Sequence, residues 1–220
     1  MTPTKFVEAI ASVAFENAFN PYADRCAVHD QRDAPRQRSA MLRSMLEAAL
    51  LSEVDAIWIG RDLGYRGGRR TGLALTDDVH IERHAARWGL PATRPTKGQA
   101  VAERTAAVIW SVLECIAQPI FLWNVFPLHP HEEGDPFTNR AHNAKERRAG
   151  EEILDQLVVL IQPRRLIAIG NNAVDTACRI AGGLEVAKIR HPSYGGQTQF
   201  VSQARDLYGV ADIGAQQLLI

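Results

Sequence analysis

Asp55-Ala-Ile-Trp-Ile-Gly60, Pro119-Ile-Phe-Leu-Trp-Asn124 and Arg164-Arg-Leu-Ile-Ala-Ile-Gly170 are short apolar runs, each stopped by a glycine or an asparagine. Runs of this length without polar alternation are what strands buried on both faces require. A shorter run over residues 184–189 leads into His191-Pro192-Ser193. Between the runs, residues 99–117 and 145–161 carry helical periodicity. Asn171-Asn-Ala-Val-Asp-Thr-Ala-Cys178 opens a further helix, with asparagine placed to cap it. Residues 4–19 and 35–51 read as helices packed outside the sheet. Strand-then-helix order, repeated along the chain, predicts a three-layer α/β/α fold with a central parallel sheet of about four strands. No repeat, low-complexity tract or linker divides the sequence, so residues 1–220 are expected to form a single domain.

Composition narrows the class. With 220 residues and 46% hydrophobic content the chain can bury one full core. The start, MTPTKFVEAIASVAFENAF, lacks the basic and then continuously apolar pattern of a signal peptide, and no apolar run reaches the ~18 residues of a membrane span. The expectation is a cytoplasmic monomer with no membrane partner. Cys26, Cys115 and Cys178 stand far apart, with no C-x-x-C pair, so spacing gives neither a disulfide framework nor a cysteine metal site.

The formal charge of +0 argues against nucleic-acid binding by bulk electrostatics, but the cations are unevenly spread. Arg61, Arg66, Arg69 and Arg70 crowd one glycine-rich loop, Lys188 and Arg190 precede another, and Lys145, Arg147 and Arg148 follow a third. Taken alone, each cluster also reads as solvated surface charge.

In an open parallel sheet, ligands bind beyond the carboxyl ends of the strands. The loops there are Gly60-Arg-Asp-Leu-Gly-Tyr-Arg-Gly-Gly-Arg-Arg-Thr-Gly72, Asn124-Val-Phe-Pro-Leu-His-Pro-His131 and His191-Pro-Ser-Tyr-Gly-Gly196. Three polar elements would converge on one crevice. A metal-dependent hydrolase is the rival that the histidines raise, since His80 and His84 are four apart and His129 and His131 flank Pro130. The segment His80-Ile-Glu-Arg-His84 lacks the adjacent glutamate of the H-E-x-x-H pattern, and no metal is expected.

Gly60-Arg-Asp-Leu-Gly64 after an apolar strand, followed by Thr71-Gly72-Leu-Ala-Leu75, resembles motif A of the uracil-DNA glycosylase superfamily. Asn124 resembles its base-reading asparagine, and His191-Pro-Ser193 its motif B. Asn20-Pro21-Tyr22 is also similar to a segment of that superfamily, so the likeness spans roughly residues 20–200. Each motif alone is weak; three in order after three strands are not. The resemblance implies hydrolysis of the glycosidic bond of a uracil flipped out of single- or double-stranded DNA, without a cofactor. Iron–sulfur members carry four cysteines at set spacings, which this chain lacks.

The resemblance also assigns roles. Cleavage builds positive charge on the sugar and negative charge on the base, which calls for a fixed anion near one and a donor aimed at the other. Asp62 would stabilise the cation and orient the water, and His191 would donate to uracil O2. Asn124 would match the O4 and N3–H edge, which cytosine inverts. Gly60 lies at the pocket.

The family's stacking phenylalanine falls at Leu75, so the platform is aliphatic or is replaced by Tyr65 or Phe126. Its thymine-barring tyrosine falls at Gly64, with Tyr65 next to it. Ser193 would contact phosphate, Tyr194 would wedge into the duplex, and Arg66, Arg69 and Arg70 would hold the backbone. Two alternatives remain at this stage: a glycosylase for another deaminated base such as hypoxanthine or xanthine, and a non-catalytic binder of damaged DNA.

Overall fold

The structure is a computed structural model that describes residues 1–210. Among them, β2 (Ala56–Asp62), β3 (Ile120–Phe126), β5 (Arg165–Ile169) and β6 (Glu185–Ile189) form a four-stranded parallel sheet in the order β3-β2-β5-β6. The expected α/β/α architecture is the one observed. All four apolar runs are strands.

Alternation along β2 shows how the layers are made. Ile57 and Ile59 join one core with Phe121 and Trp123 of β3, whereas Ala56 and Trp58 join the opposite core with Ile120 and Leu122. Successive side chains leave opposite faces of a strand, so a continuous apolar run needs a helical layer on each side. α1 (Pro3–Ala11), α2 (Ala34–Leu50), α6 (Ala144–Ile161) and α7 (Asn171–Ile180) cover the first face, through residues such as Phe6, Leu46, Leu157 and Ala173. α5 (Arg104–Leu113) and α8 (Gln197–Tyr208) cover the second, through Ile109, Trp110, Phe200 and Ala204.

Local chemistry sets the helix ends. In α6, Asn143 accepts from the backbone of Lys145 and Glu146 while Glu146 returns to the Asn143 N–H, a capping box worth about 1 kcal/mol. α1 starts at Pro3 with Thr2 capping Lys5, and it stops at Ala11, well short of residue 19. The chain then forms β1 (Ala18–Phe19), which pairs antiparallel with β4 (His129–Pro130). This two-stranded clasp ties the N-terminal region to the loop after β3. Asn171 is not the cap of α7: Gly170, at φ +82°, holds that position, and a side chain there would be strained.

Two short helices, α3 (Gly68–Thr71) and α4 (Ile81–Ala86), complete the elements. Between them the Thr71 hydroxyl donates to the Thr76 carbonyl and accepts from the Leu73 N–H, folding the segment back over the end of β2.

Candidate active site

Parallel pairing brings the first pieces together without any side-chain contact. Gly60 of β2 lies in register with Asn124 of β3, and Asp62 with Phe126. Asn124 is 1% exposed, and neither Oδ1 nor Nδ2 has a hydrogen-bond partner among the described residues. Each unpaired buried polar group costs about 1–3 kcal/mol, so an amide left open on both sides is free to pair with a donor and an acceptor of a ligand.

Its walls are equally specific. A Cβ at Gly60 would overlap Asn124 Oδ1 and come within 2.9 Å of Leu75 Cδ2. Glycine is therefore the one residue type that leaves this crevice open. Leu75 is partly exposed and held at φ +55°, a left-handed conformation costly for a branched side chain, and its carbonyl accepts from Trp110 Nε1 at 3.2 Å. An aliphatic surface thus stands beside the amide, where an aromatic platform was one option. Phe126 is fully buried, edge-on to Phe15, and offers no open stacking face. Tyr65 is partly exposed at the loop, and its hydroxyl accepts from Arg66 Nε at 2.7 Å.

Asp62 ends β2 with its side chain 5% exposed. Oδ2 accepts from Arg61 Nε at 2.6 Å and Oδ1 from His142 Nδ1 at 2.5 Å. His142 precedes α6 in the polar loop, 80 positions away in sequence, and no motif points to it.

His191 follows β6 and packs against Gly170, where a Cβ would sit 3.0 Å from its own. Its Nδ1 accepts from the Ser193 N–H at 3.1 Å, which leaves the ring proton on Nε2 as a donor. Burial, then the charges of Arg61 and Arg190, hold its pKa below the ordinary histidine value, so the ring is neutral at pH 7. The Ser193 hydroxyl lies 3.3 Å from that of Thr105, joining the start of α5 to this loop. Next to it, Tyr194 projects at 99% exposure with φ +53°. Thr105, Ser193 and Tyr194 border a groove of about 360 Å³ that also includes Arg104 and Gln197.

The arginine cluster divides. Arg66 is exposed, but Arg69 and Arg70 are each 4% exposed and point inward. Arg70 pairs with the buried Asp78 at 2.6 Å, and the Arg69 guanidinium stacks 4.0 Å from the Phe19 ring centroid and 5.1 Å from that of Phe137. Both are structural cations, and the expectation that they grip phosphate is corrected. A guanidinium that must reach phosphate has to stand in solvent, whereas a buried one is kept only with compensating contacts, as Arg70 has in Asp78.

His80 and His84 are likewise held internally, by Asp77 and by the Thr76 hydroxyl. Glu103 is a group that no sequence motif marks. Its carboxyl lies across the glycines of the motif A loop, so that a Cβ at Gly64 would sit 2.7 Å from Oε1 and one at Gly67 would overlap Oε2. Burial, then repulsion by Asp77, pushes its pKa up to about 7 against the pull of Arg66.

An α/β/α protein with a buried open amide, a carboxylate and a neutral histidine donor at the carboxyl ends of its strands has the parts for working on a flat polar ring. A sequence profile of the Uracil DNA glycosylase superfamily matches residues 53–206, and the chain belongs to that family. Among solved structures, SMUG2 of Pedobacter heparinus is similar at TM-score 0.61 and 12% identity, over 95% of this chain and 97% of that one. At that identity the likeness is one of fold. A mutant of UNG from Nitratifractor salsuginis, with one tyrosine replaced by glycine, also matches, at TM-score 0.36 and 16% identity over 82% of this chain and 85% of that one. A search of curated protein sequences finds no match.

Proposed function

We propose that this chain hydrolyses the N-glycosidic bond of deoxyuridine in DNA, releasing uracil and leaving an abasic site. The observation that carries the reading is the Asn124 amide, buried and unpaired on both its donor and its acceptor. Nδ2–H would donate to uracil O4 while Oδ1 accepts from N3–H, and to an amide held in that orientation cytosine would present the reverse pattern and leave both groups desolvated.

The reaction follows from charge. The C1′–N1 bond breaks with its electron pair going to the base, and His191 Nε2–H donates to O2 as negative charge gathers there. A neutral donor suffices because uracil leaves as an anion. Asp62 faces the developing sugar cation and orients the water whose oxygen bonds to C1′, taking up the proton that the water loses. Flipping costs a few kcal/mol of stacking, which Tyr194 offsets by filling the gap while Ser193 and Arg66 contact phosphate.

Hypoxanthine is the second reading, favoured by one feature: its O6 and N1–H repeat the acceptor and donor order of uracil O4 and N3–H, so Asn124 reads both. The test is one panel. Purified protein is incubated in chelator with oligonucleotides carrying U opposite A, U opposite G, unpaired U, T opposite G or hypoxanthine, and abasic sites are cleaved with alkali. Uracil release that survives chelation supports the proposal; release of hypoxanthine alone selects the second reading, and no release from any substrate overturns both.

A further inference from the structure

The contact between Asp62 and His142 is not required by the fold of the sheet, and its geometry is that of a paired unit. His142 Nδ1 lies 2.5 Å from Asp62 Oδ1, and both side chains are largely shielded, at 9% and 5% exposure. The imidazole stands edge-on to the Phe126 ring, 6.3 Å between centroids, so its tilt is set by a side chain that is itself fully buried. Nε2 has no hydrogen-bond partner among the described residues, and the ring borders a groove of about 370 Å³ shared with Arg61, Arg147, Asn172 and Asp175.

The acceptor is a carboxylate, so Nδ1 carries the shared proton. Arg61 Nε occupies the other carboxylate oxygen at 2.6 Å, but its side chain is 40% exposed and belongs to the adjacent residue. An exposed arginine holds a carboxylate loosely. The buried imidazole is the stronger restraint.

We propose that His142 is a positioning residue for Asp62: by donating Nδ1–H to Oδ1 it fixes the plane of the carboxylate, so that the remaining lone pairs meet the attacking water and the sugar cation. The inference rests on the reading of Asp62 given above. A misplacement of a reacting group by about 1 Å can cost on the order of a hundredfold in rate. That is the effect a lost restraint would have here, without any loss of substrate binding.

A double-mutant cycle tests it with uracil DNA under single-turnover conditions and saturating enzyme. His142→Ala should slow excision by about 10- to 100-fold in the wild-type background and by less than about twofold in Asp62→Asn, because a residue acting through Asp62 has nothing left to act on. His142→Asn, whose amide nitrogen lies near the position of Nδ1, should restore the rate to within a few-fold. Equal slowing by His142→Ala in both backgrounds, or no slowing, overturns the proposal.

A second readout needs no DNA. The proton NMR spectrum of the wild type should contain a far-downfield, slowly exchanging imidazole N–H that is absent from both His142→Asn and Asp62→Asn. If Asp62→Asn leaves that signal unchanged, the pairing is wrong. A wild type that excises no base overturns the reading of the reaction and not the pairing, which the proton signal decides.

Discussion

Glu103→Gln is a change of one atom type whose consequence is fixed by where the carboxyl lies. In the folded chain the group titrates near 7, against an ordinary value of 4.5 for a free glutamate. Burial is the main cause, with Asp77 adding repulsion and Arg66 opposing it. The folded state therefore holds a proton that the unfolded state has already lost between those two values. Stability from the neutral carboxyl is complete below pH 4.5 and falls as pH rises toward 7, where the folded group also ionises. That shift corresponds to an upper bound of ~3 kcal/mol at about 1.36 kcal/mol per unit, and partial solvent access brings the expected value to ~2 kcal/mol.

A glutamine side chain at this position has the shape of the neutral acid and no charge to desolvate. We expect the variant to match the wild type within ~1 kcal/mol at pH 5 and to exceed it by ~2 kcal/mol at pH 8, raising Tm there by ~4–8 °C. Urea denaturation at both pH values checks this, provided the m-value is unchanged so that the midpoint reports stability. If the variant and wild type lose stability in parallel from pH 5 to pH 8, the carboxyl is ionised at neutral pH and the argument from burial fails. A variant weaker at both pH values would refute it differently, by showing that the proton itself makes an essential hydrogen bond.

Asp62→Asn and His191→Ala should each slow single-turnover excision by roughly 10²–10⁴-fold with little change in DNA affinity, and a near-normal rate in either would remove that residue from the reaction. Gly60→Ala should abolish excision while leaving the fold intact by circular dichroism, since its Cβ meets Asn124 and Leu75; retained activity would put the base elsewhere. Arg66→Ala should flatten the plot of log affinity against log salt by about one unit of slope, whereas Arg70→Ala should leave the slope alone and destabilise the protein by ~3–5 kcal/mol, as expected for a stranded Asp78. Asn124→Asp should lose most uracil excision and gain slow cytosine excision that increases toward acidic pH, because only a protonated carboxyl can present the donor and acceptor order that cytosine needs.

The sheet is legible in the sequence and its surroundings less so, for one physical reason. A strand buried on both faces must be apolar at every position, and a run such as Ala56-Ile-Trp-Ile59 has almost no other use. The clasp between β1 and β4 is only two residues on each side, too short for any period to register. α8 is hidden because the glycines after His191-Pro-Ser193 read as an extended loop, although the turn ends at Gly196 and Phe200 and Ala204 then bury at helical spacing. At the site, Asp62, Asn124 and His191 stand out in the sequence because each closes or follows an apolar run, although β3 continues two residues past Asn124 to Phe126. A charge cluster such as residues 66–70 says nothing of direction: Arg66 faces solvent, whereas Arg70 faces Asp78, eight positions on.

What sequence order cannot supply is the set of groups that act on the strand-end residues from other elements. The polar atoms of Asn124 are defined by what is missing around them, and Gly60 is needed only because Asn124 and Leu75 crowd it. The two carboxylate oxygens of Asp62 are filled by a neighbour in sequence and by His142 from the loop after β4. Glu103 reaches the motif A loop from the start of α5, just ahead of the Thr105 hydroxyl that touches Ser193. Segments around residues 62, 103, 142 and 193 thus meet at one end of the sheet, and a shift in any of them moves a group at the site. The loops have little regular structure of their own, so the strand ends and these long-range polar contacts must hold the geometry. For that reason, substitutions at Glu103 and His142 are expected to change rate or stability without touching a bound base, and the geometry of Asp62, Asn124 and His191 cannot be understood from their motifs alone.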